Sequence, residues 1–108
     1  MAWTVSASGS QTAVISTEHV LATPVAAGTY QINIDTINMA GGDILELRVY
    51  KSIDGSNSRQ VWKGTYQNPQ INLGKIGPPI ETAGNQLKFT LKQTAGTGRV
   101  YPWSLEVI

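Results

Sequence analysis

Residues 41–51, Gly41-Gly42-Asp43-Ile44-Leu45-Glu46-Leu47-Arg48-Val49-Tyr50-Lys51, constrain the fold more than any other stretch. From Leu45 onward the alternation is unbroken: Leu45, Leu47 and Val49 point one way, Glu46, Arg48 and Tyr50 the other. Successive side chains of a strand point to opposite faces, so this is the pattern of a half-buried β-strand. A polar loop, residues 53–58, follows, and then a second strand over residues 59–66. Setting Val49 opposite Trp62 places Leu47 against Gly64 and Leu45 against Tyr66 on the apolar side. The polar side then pairs Tyr50 with Val61, Arg48 with Lys63 and Glu46 with Thr65. A slip of one residue would put Arg48 among the apolar partners; a slip of two keeps both faces, so the pattern fixes the register to within two residues.

The rest of the chain reads as short strands around this hairpin. Residues 3–7 alternate briefly as a first strand, Ser8-Gly9-Ser10 is a turn signal, and residues 11–16 form a weak strand. Residues 17–23 are ambiguous between strand and turn, and small residues connect Pro24 to Gly28. Residues 29–36 are a clear strand with Tyr30, Ile32 and Ile34 inward; residues 38–43 turn the chain into the hairpin. After Tyr66, residues 67–70 break the pattern, Ile71 and Leu73 make a short edge-like strand, and residues 74–84, with Pro78-Pro79, form the longest irregular connection. Residues 86–93 alternate with Leu87, Phe89 and Leu91 inward, and residues 94–99 read as a glycine-bearing hairpin turn. Tyr101, Trp103, Leu105 and Val107 form the inward face of a last strand, which Pro102 marks as an edge at its start. No helix with both a periodic face and a cap is visible. Seven or eight short strands imply an all-β, antiparallel β-sandwich, since one open sheet would leave its apolar face wet. The long return from the hairpin to Gln86 favours a jelly roll over an immunoglobulin-like sandwich. At 108 residues, 1–108 is expected to be a single domain with one core.

Composition narrows the partners. Eight basic and seven acidic residues, without blocks of either sign, argue against nucleic acid, whose binding rests on neutralising many phosphates. There is no cysteine, hence no disulfide framework and no thiolate metal site. The N-terminal residues lack a basic start and an apolar run, and nothing approaches the length of a membrane span, so neither a secretory signal nor a membrane partner is expected. Charged residues are 14% of the chain, against roughly 25% in ordinary soluble domains. A polar, sparsely charged surface suits a protein that lives in an assembly.

A search for chemistry finds little. His19, the one histidine, stands next to Glu18 and near Ser16, but nothing marks a nucleophile elbow or oxyanion hole. One histidine and seven scattered carboxylates show no ligand spacing, and no metal or cofactor is expected. Asp54-Gly55-Ser56-Asn57-Ser58 begins like a calcium loop but lacks the later acidic ligands, so a turn is the better account. Gly96-Thr97-Gly98-Arg99 lacks the helix that a phosphate loop needs behind it. The aromatic residues remain. Trp62, Tyr66, Tyr101 and Trp103 fall on inward parity, whereas outward Tyr50 and terminal Trp3 are candidates for protein contact. Arg48 and Lys63 form a small basic spot beside Glu46, suited to an acidic neighbour.

Residues 16–23 (Ser-Thr-Glu-His-Val-Leu-Ala-Thr), 42–50 (Gly-Asp-Ile-Leu-Glu-Leu-Arg-Val-Tyr) and 91–99 (Leu-Lys-Gln-Thr-Ala-Gly-Thr-Gly-Arg) resemble segments of short proteins encoded among the structural genes of tailed bacteriophages. The resemblance runs from about Ser16 to Trp103. The class closest in size and expected fold is the capsid decoration, or cement, proteins: small β-rich domains on the outside of the shell, often trimeric, that brace neighbouring subunits. The resemblance implies a non-enzymatic protein of the virion exterior, made in the host cytoplasm, whose partners are the major capsid protein and copies of itself, with a trimer expected. Contacts are expected from the 16–24 connection, the 74–84 loop and the Trp3 region. The candidate contact residues are Trp3, Glu18, His19, Arg48, Tyr50, Lys63, Lys75, Pro78 and Pro79. A tail or fibre component binding host-surface carbohydrate, and a small binding protein outside the virion, are the alternative readings.

Overall fold

A computed structural model describes residues 2–108. Among these residues nine strands run in order: β1 (Thr4–Thr12), β2 (Glu18–Ala22), β3 (Gly28–Asp35), β4 (Ile44–Ser52), β5 (Ser58–Gln67), β6 (Gly74–Ile76), β7 (Ile80–Thr82), β8 (Leu87–Ala95) and β9 (Val100–Val107). They form two antiparallel sheets. Sheet one has the order β1-β9-β3-β6, with β7 also on β3; sheet two has the order β2-β8-β4-β5.

The pairings are nested about one loop. β4 pairs with β5 across residues 53–57, β3 with β6 and β7, β2 with β8, and β1 with β9. The chain is thus one long antiparallel ribbon, doubled back at Asp54-Gly55 and rolled so that successive pairs fall alternately in the two sheets. That is the jelly roll. The β3–β9 and β4–β8 ladders complete the sheets, which places these four strands in the middle and makes them the most apolar. Their inward residues, Tyr30, Ile32, Ile34, Tyr101 and Leu105 from sheet one and Leu45, Leu47, Val49, Leu87, Phe89 and Leu91 from sheet two, are the core. Each large apolar side chain buried there is worth about 1.5–3 kcal/mol. Trp62, Tyr66 and Trp103 close the core, half-buried.

The central hairpin has the register set out from its sequence, one of those its alternation allows, from Leu45 opposite Tyr66 to Val49 opposite Trp62. Past that point it slips: Tyr50 lies opposite Gln60, and Val61, left over, is exposed. An extra residue on an edge strand bends it and increases its twist, which the sequence pattern does not encode.

Elsewhere tertiary pairing overrides local signals. Ser8-Gly9-Ser10 is no turn; it continues β1, held in the ladder to β9. Gly9 is there because the Trp103 indole lies over it, Nε1 being 3.3 Å from where a Cβ would stand. Residues 18–22, ambiguous in sequence, pair with β8. Ile71 and Leu73 are exposed loop residues, and the strand falls instead on Gly74–Ile76. The 74–84 connection holds two short strands along β3, interrupted at Gly77-Pro78-Pro79. Residues 94–99 do not close a hairpin, because β8 and β9 belong to different sheets; they cross between the layers. β9 is an edge only at its start, as Pro102 marks it; from Trp103 onward it lies between β1 and β3. Pro102 is tolerated because β3 joins β9 only from Trp103 onward, so at Pro102 the strand has a single neighbour.

Candidate functional site

Antiparallel alternation gathers the loops at two ends of the sandwich. One end holds residues 13–17, 36–43, 68–73 and 96–99, and these four segments are tied to one another. The Ala13 N–H donates to Arg99 O (2.8 Å) and the Ser16 N–H to Gln93 O (2.8 Å). Leu73 O accepts from the Thr36 N–H (2.9 Å) and from Thr36 Oγ1 (2.6 Å). Asn38 Nδ2 donates to Val100 O (2.8 Å), and the Gly42 N–H to Asn68 Oδ1 (2.9 Å). Ser16 and Asn68 hold left-handed backbone conformations, which cost energy in residues other than glycine and persist only where the surroundings enforce them.

Beneath these loops lies a buried polar network. Asp43 is 0% exposed. Its Oδ2 accepts from the Ala40 N–H (2.9 Å) and from Arg99 Nε (2.9 Å), and its Oδ1 from the Thr97 N–H (3.2 Å). Burial alone would raise the Asp43 pKa; these bonds and the Arg99 charge outweigh it and hold the carboxyl below its ordinary value. Gln93, equally buried, donates to Ala95 O (3.0 Å) and Thr97 O (2.7 Å) and accepts from the Arg99 N–H (3.2 Å) and Tyr101 Oη (3.0 Å). Burial, with the Asp43 charge nearby, pushes the Tyr101 hydroxyl up to about 12. Gly96 completes the knot. Its φ of 86° is left-handed, and a Cβ there would collide with Asp43 Oδ1.

On this fixed base the loops hold apolar side chains out to solvent. Val14, Ile15, Ile37, Ile71 and Leu73 on the loops, and Val100 at the start of β9, are exposed at this end, Ile71 at 99%, whereas among the described residues the opposite end exposes Val25 and Ile53 on its loops and Val5 near the start of β1. Ile37, Leu73 and Pro102 also line an open groove of about 490 Å³ on the outer side of sheet one, together with Asn33, Asp35 and Ser104. None of the apolar loop residues stands out in the sequence. Ile71 and Leu73 mimic a strand, and the others are single apolar residues in polar runs.

The candidate contact residues fall in four places. Glu18, Arg48, Tyr50 and Lys63 share the outer face of sheet two. Glu18 Oε2 accepts from Tyr50 Oη (2.7 Å) and Thr90 Oγ1 (2.7 Å), and its Oε1 meets Arg48 Nη1 at 3.1 Å. Arg48 Nη2 lies 2.6 Å from Glu46 Oε1, and Lys63 Nζ lies 3.2 Å from Glu46 Oε2. The basic spot expected here is therefore balanced by its own carboxylates, and Tyr50 is tied down. Burial would raise the Glu18 pKa, but the Tyr50 and Thr90 hydroxyls and then Arg48 bring it below its usual value. His19, on the opposite face of β2, accepts the Val14 N–H at Nε2 (3.0 Å) and so steadies the loop that carries Val14 and Ile15. Lys75 sits on the β6 edge with its ammonium 5.2 Å from the Tyr66 ring centroid. Pro78 and Pro79 separate β6 from β7, and Trp3, half-buried, precedes β1 at the opposite end from the apolar loops. In the 53–57 loop, Asp54 Oδ1 accepts from the Ser56 and Asn57 N–H groups (2.9 and 2.7 Å), and the Asn57 side chain and these amides lower it to about 2. The carboxylate closes a turn. Comparison with known proteins returns no family model, no curated protein and no solved structure that matches the chain.

Proposed function

We propose that this chain is a non-catalytic structural protein of a bacteriophage virion, which decorates the outside of the capsid and stabilises it by protein–protein contact. The observation that carries the reading is the apolar loop end: five exposed aliphatic residues on three of four segments that are already bonded to one another, with Val100 beside them at the start of β9. Clustered exposed apolar residues mark protein-contact sites, and loops ordered in advance lose little entropy on docking. A domain that binds only the assembled shell stabilises that shell by mass action, to an extent set by its affinity and concentration. No bond is made or broken. The partners are the major capsid protein and other copies of the chain.

Quantitative mass spectrometry of purified virus particles tests this directly. A copy number equal to that of the major capsid protein, or a simple fraction of it, is expected. A few copies per particle would move the protein to the tail or a vertex, and none would end the virion reading. On particles that carry it, Ile71→Glu should reduce occupancy tenfold or more, since it places a charge in an apolar contact at about 2 kcal/mol or above.

The groove beside Ile37 favours a second reading, a tail or fibre component that binds host-surface carbohydrate. It sets a carboxylate, an amide and a hydroxyl (Asp35, Asn33, Ser104) against an apolar wall. Sugar-dependent changes in tryptophan fluorescence would support this reading over the first.

A further inference from the structure

An edge strand leaves half of its backbone N–H and C=O groups unpaired, and proteins commonly blunt such edges with charge, proline, bulges or short length. Three of the four edges of this sandwich are blunted. β2 has five residues, an irregular register and the charged Glu18. β5 carries Arg59, Lys63 and the bulge at Val61. β6 and β7 have three residues each, broken by Pro78-Pro79. β1 is different. It runs nine residues, Thr4-Val5-Ser6-Ala7-Ser8-Gly9-Ser10-Gln11-Thr12, without a charge or a proline, and is regular from Ala7 to Thr12. Nearly all of it is exposed.

Its sequence also reads much the same in both directions. Counting outward from Ser8, Ala7 mirrors Gly9, Ser6 mirrors Ser10 and Thr4 mirrors Thr12, while Val5 and Gln11 are the one unlike pair. A two-fold contact brings each residue against its mirror position on the other copy, so it requires a self-complementary surface. We infer that β1 pairs antiparallel with β1 of a second copy, joining the first sheets of two chains into one continuous sheet centred on Ser8.

The faces agree with this register. Ser8 and Ser10 lie opposite Ser104 and Pro102, on the outer side; Ala7 and Gly9 lie opposite Leu105 and Trp103, on the inner side. Pairing about Ser8 keeps outer with outer and inner with inner, and a slip of one residue would cross them. All the side chains that meet are small and uncharged, so nothing repels. The irregularity at Ser6, between Val5 and Ala7, limits the regular pairing to about residues 7–9, which makes a small interface and a concentration-dependent pair. The inference holds whatever the loop end binds. In the pair the two loop ends point in opposite directions, so it is a two-headed connector.

The absence of native cysteine allows a clean test. Directly opposed residues of an antiparallel pair have Cβ atoms about 4.5–5.5 Å apart, close enough for a disulfide after slight adjustment. Ser8→Cys should form a disulfide-linked dimer on mild oxidation, and Thr65→Cys on the β5 edge should stay monomeric. Sedimentation of the unmodified chain from about 10 μM to about 1 mM should show monomer passing to dimer and no further. Ser8→Lys, at an exposed site that leaves the circular dichroism spectrum unchanged, should weaken the dimer about fivefold or more. A monomer throughout the range would overturn the inference, as would equal cross-linking of the two cysteine variants or a dimer indifferent to Ser8→Lys. None of these results bears on the apolar loop end.

Discussion

Asp43 is a carboxylate with no exposed surface, and it survives there because three donors reach it: the Ala40 and Thr97 amides and the Arg99 guanidinium. Removing the acceptor strands all three. Asp43→Ala is expected to cost about 3 kcal/mol, the lower end of the range for a fully buried pair because Arg99 is partly exposed. The midpoint of urea unfolding measures it. The pH dependence follows from the sign of the shift. Asp43 and Glu18 both have folded pKa values below their ordinary ones, so their contribution is complete above the carboxylate range and is lost as the pH falls through it. The gap between the parent chain and Asp43→Ala should therefore narrow below about pH 4. At this scale little was legible. Asp43 and Arg99 each read as members of separate turns, and their bond spans 56 positions of sequence. Only the fold brings the turns together.

At the scale of elements, strands with one wet face were legible and those without were not. β3, β4, β8 and the faces of the hairpin follow from alternation because a one-residue slip would bury a charge, and its register follows to within two residues. β1 has almost no buried face and was split by an apparent Ser-Gly-Ser turn; the crossing at residues 94–99 has the composition of a hairpin, and composition does not say which sheet comes next. The hairpin also contains a test of packing against propensity. Gly64 lies opposite Leu47, between Trp62 and Tyr66, and a Cβ there would come within 2.8 Å of the Trp62 ring and 3.0 Å of Tyr66 Oη. On propensity alone Gly64→Ala in a strand should stabilise. Crowding of the two rings, typically 1–3 kcal/mol, reverses the sign. Gly64→Ala should thus lower the melting temperature by about 4–8 °C per kcal/mol lost, for a chain of this size. An unchanged or raised melting temperature would show that the rings move aside freely.

The whole molecule presents surfaces of different character because the rolled ribbon separates them. The outer face of sheet two carries Arg48, Lys63, Lys88 and Lys92 among Glu18 and Glu46, while the outer side of sheet one carries Asp35, Glu81 and Glu106 among serine, threonine, asparagine and glutamine. The loop end is apolar. These surfaces respond differently to salt, which decides which of them meets the shell. Exposed charges more than about 10 Å apart are largely screened at 0.1 M ionic strength, so a contact made by either sheet face should weaken steeply as salt rises. Apolar contact does not weaken with salt in this way. If the loop end docks, affinity for the capsid should change less than about threefold between roughly 0.05 and 0.5 M sodium chloride, and Lys63→Glu should leave it nearly unaltered. A fall of tenfold or more over that range, accompanied by sensitivity to Lys63→Glu, would transfer the contact from the loop end to the charged face of sheet two.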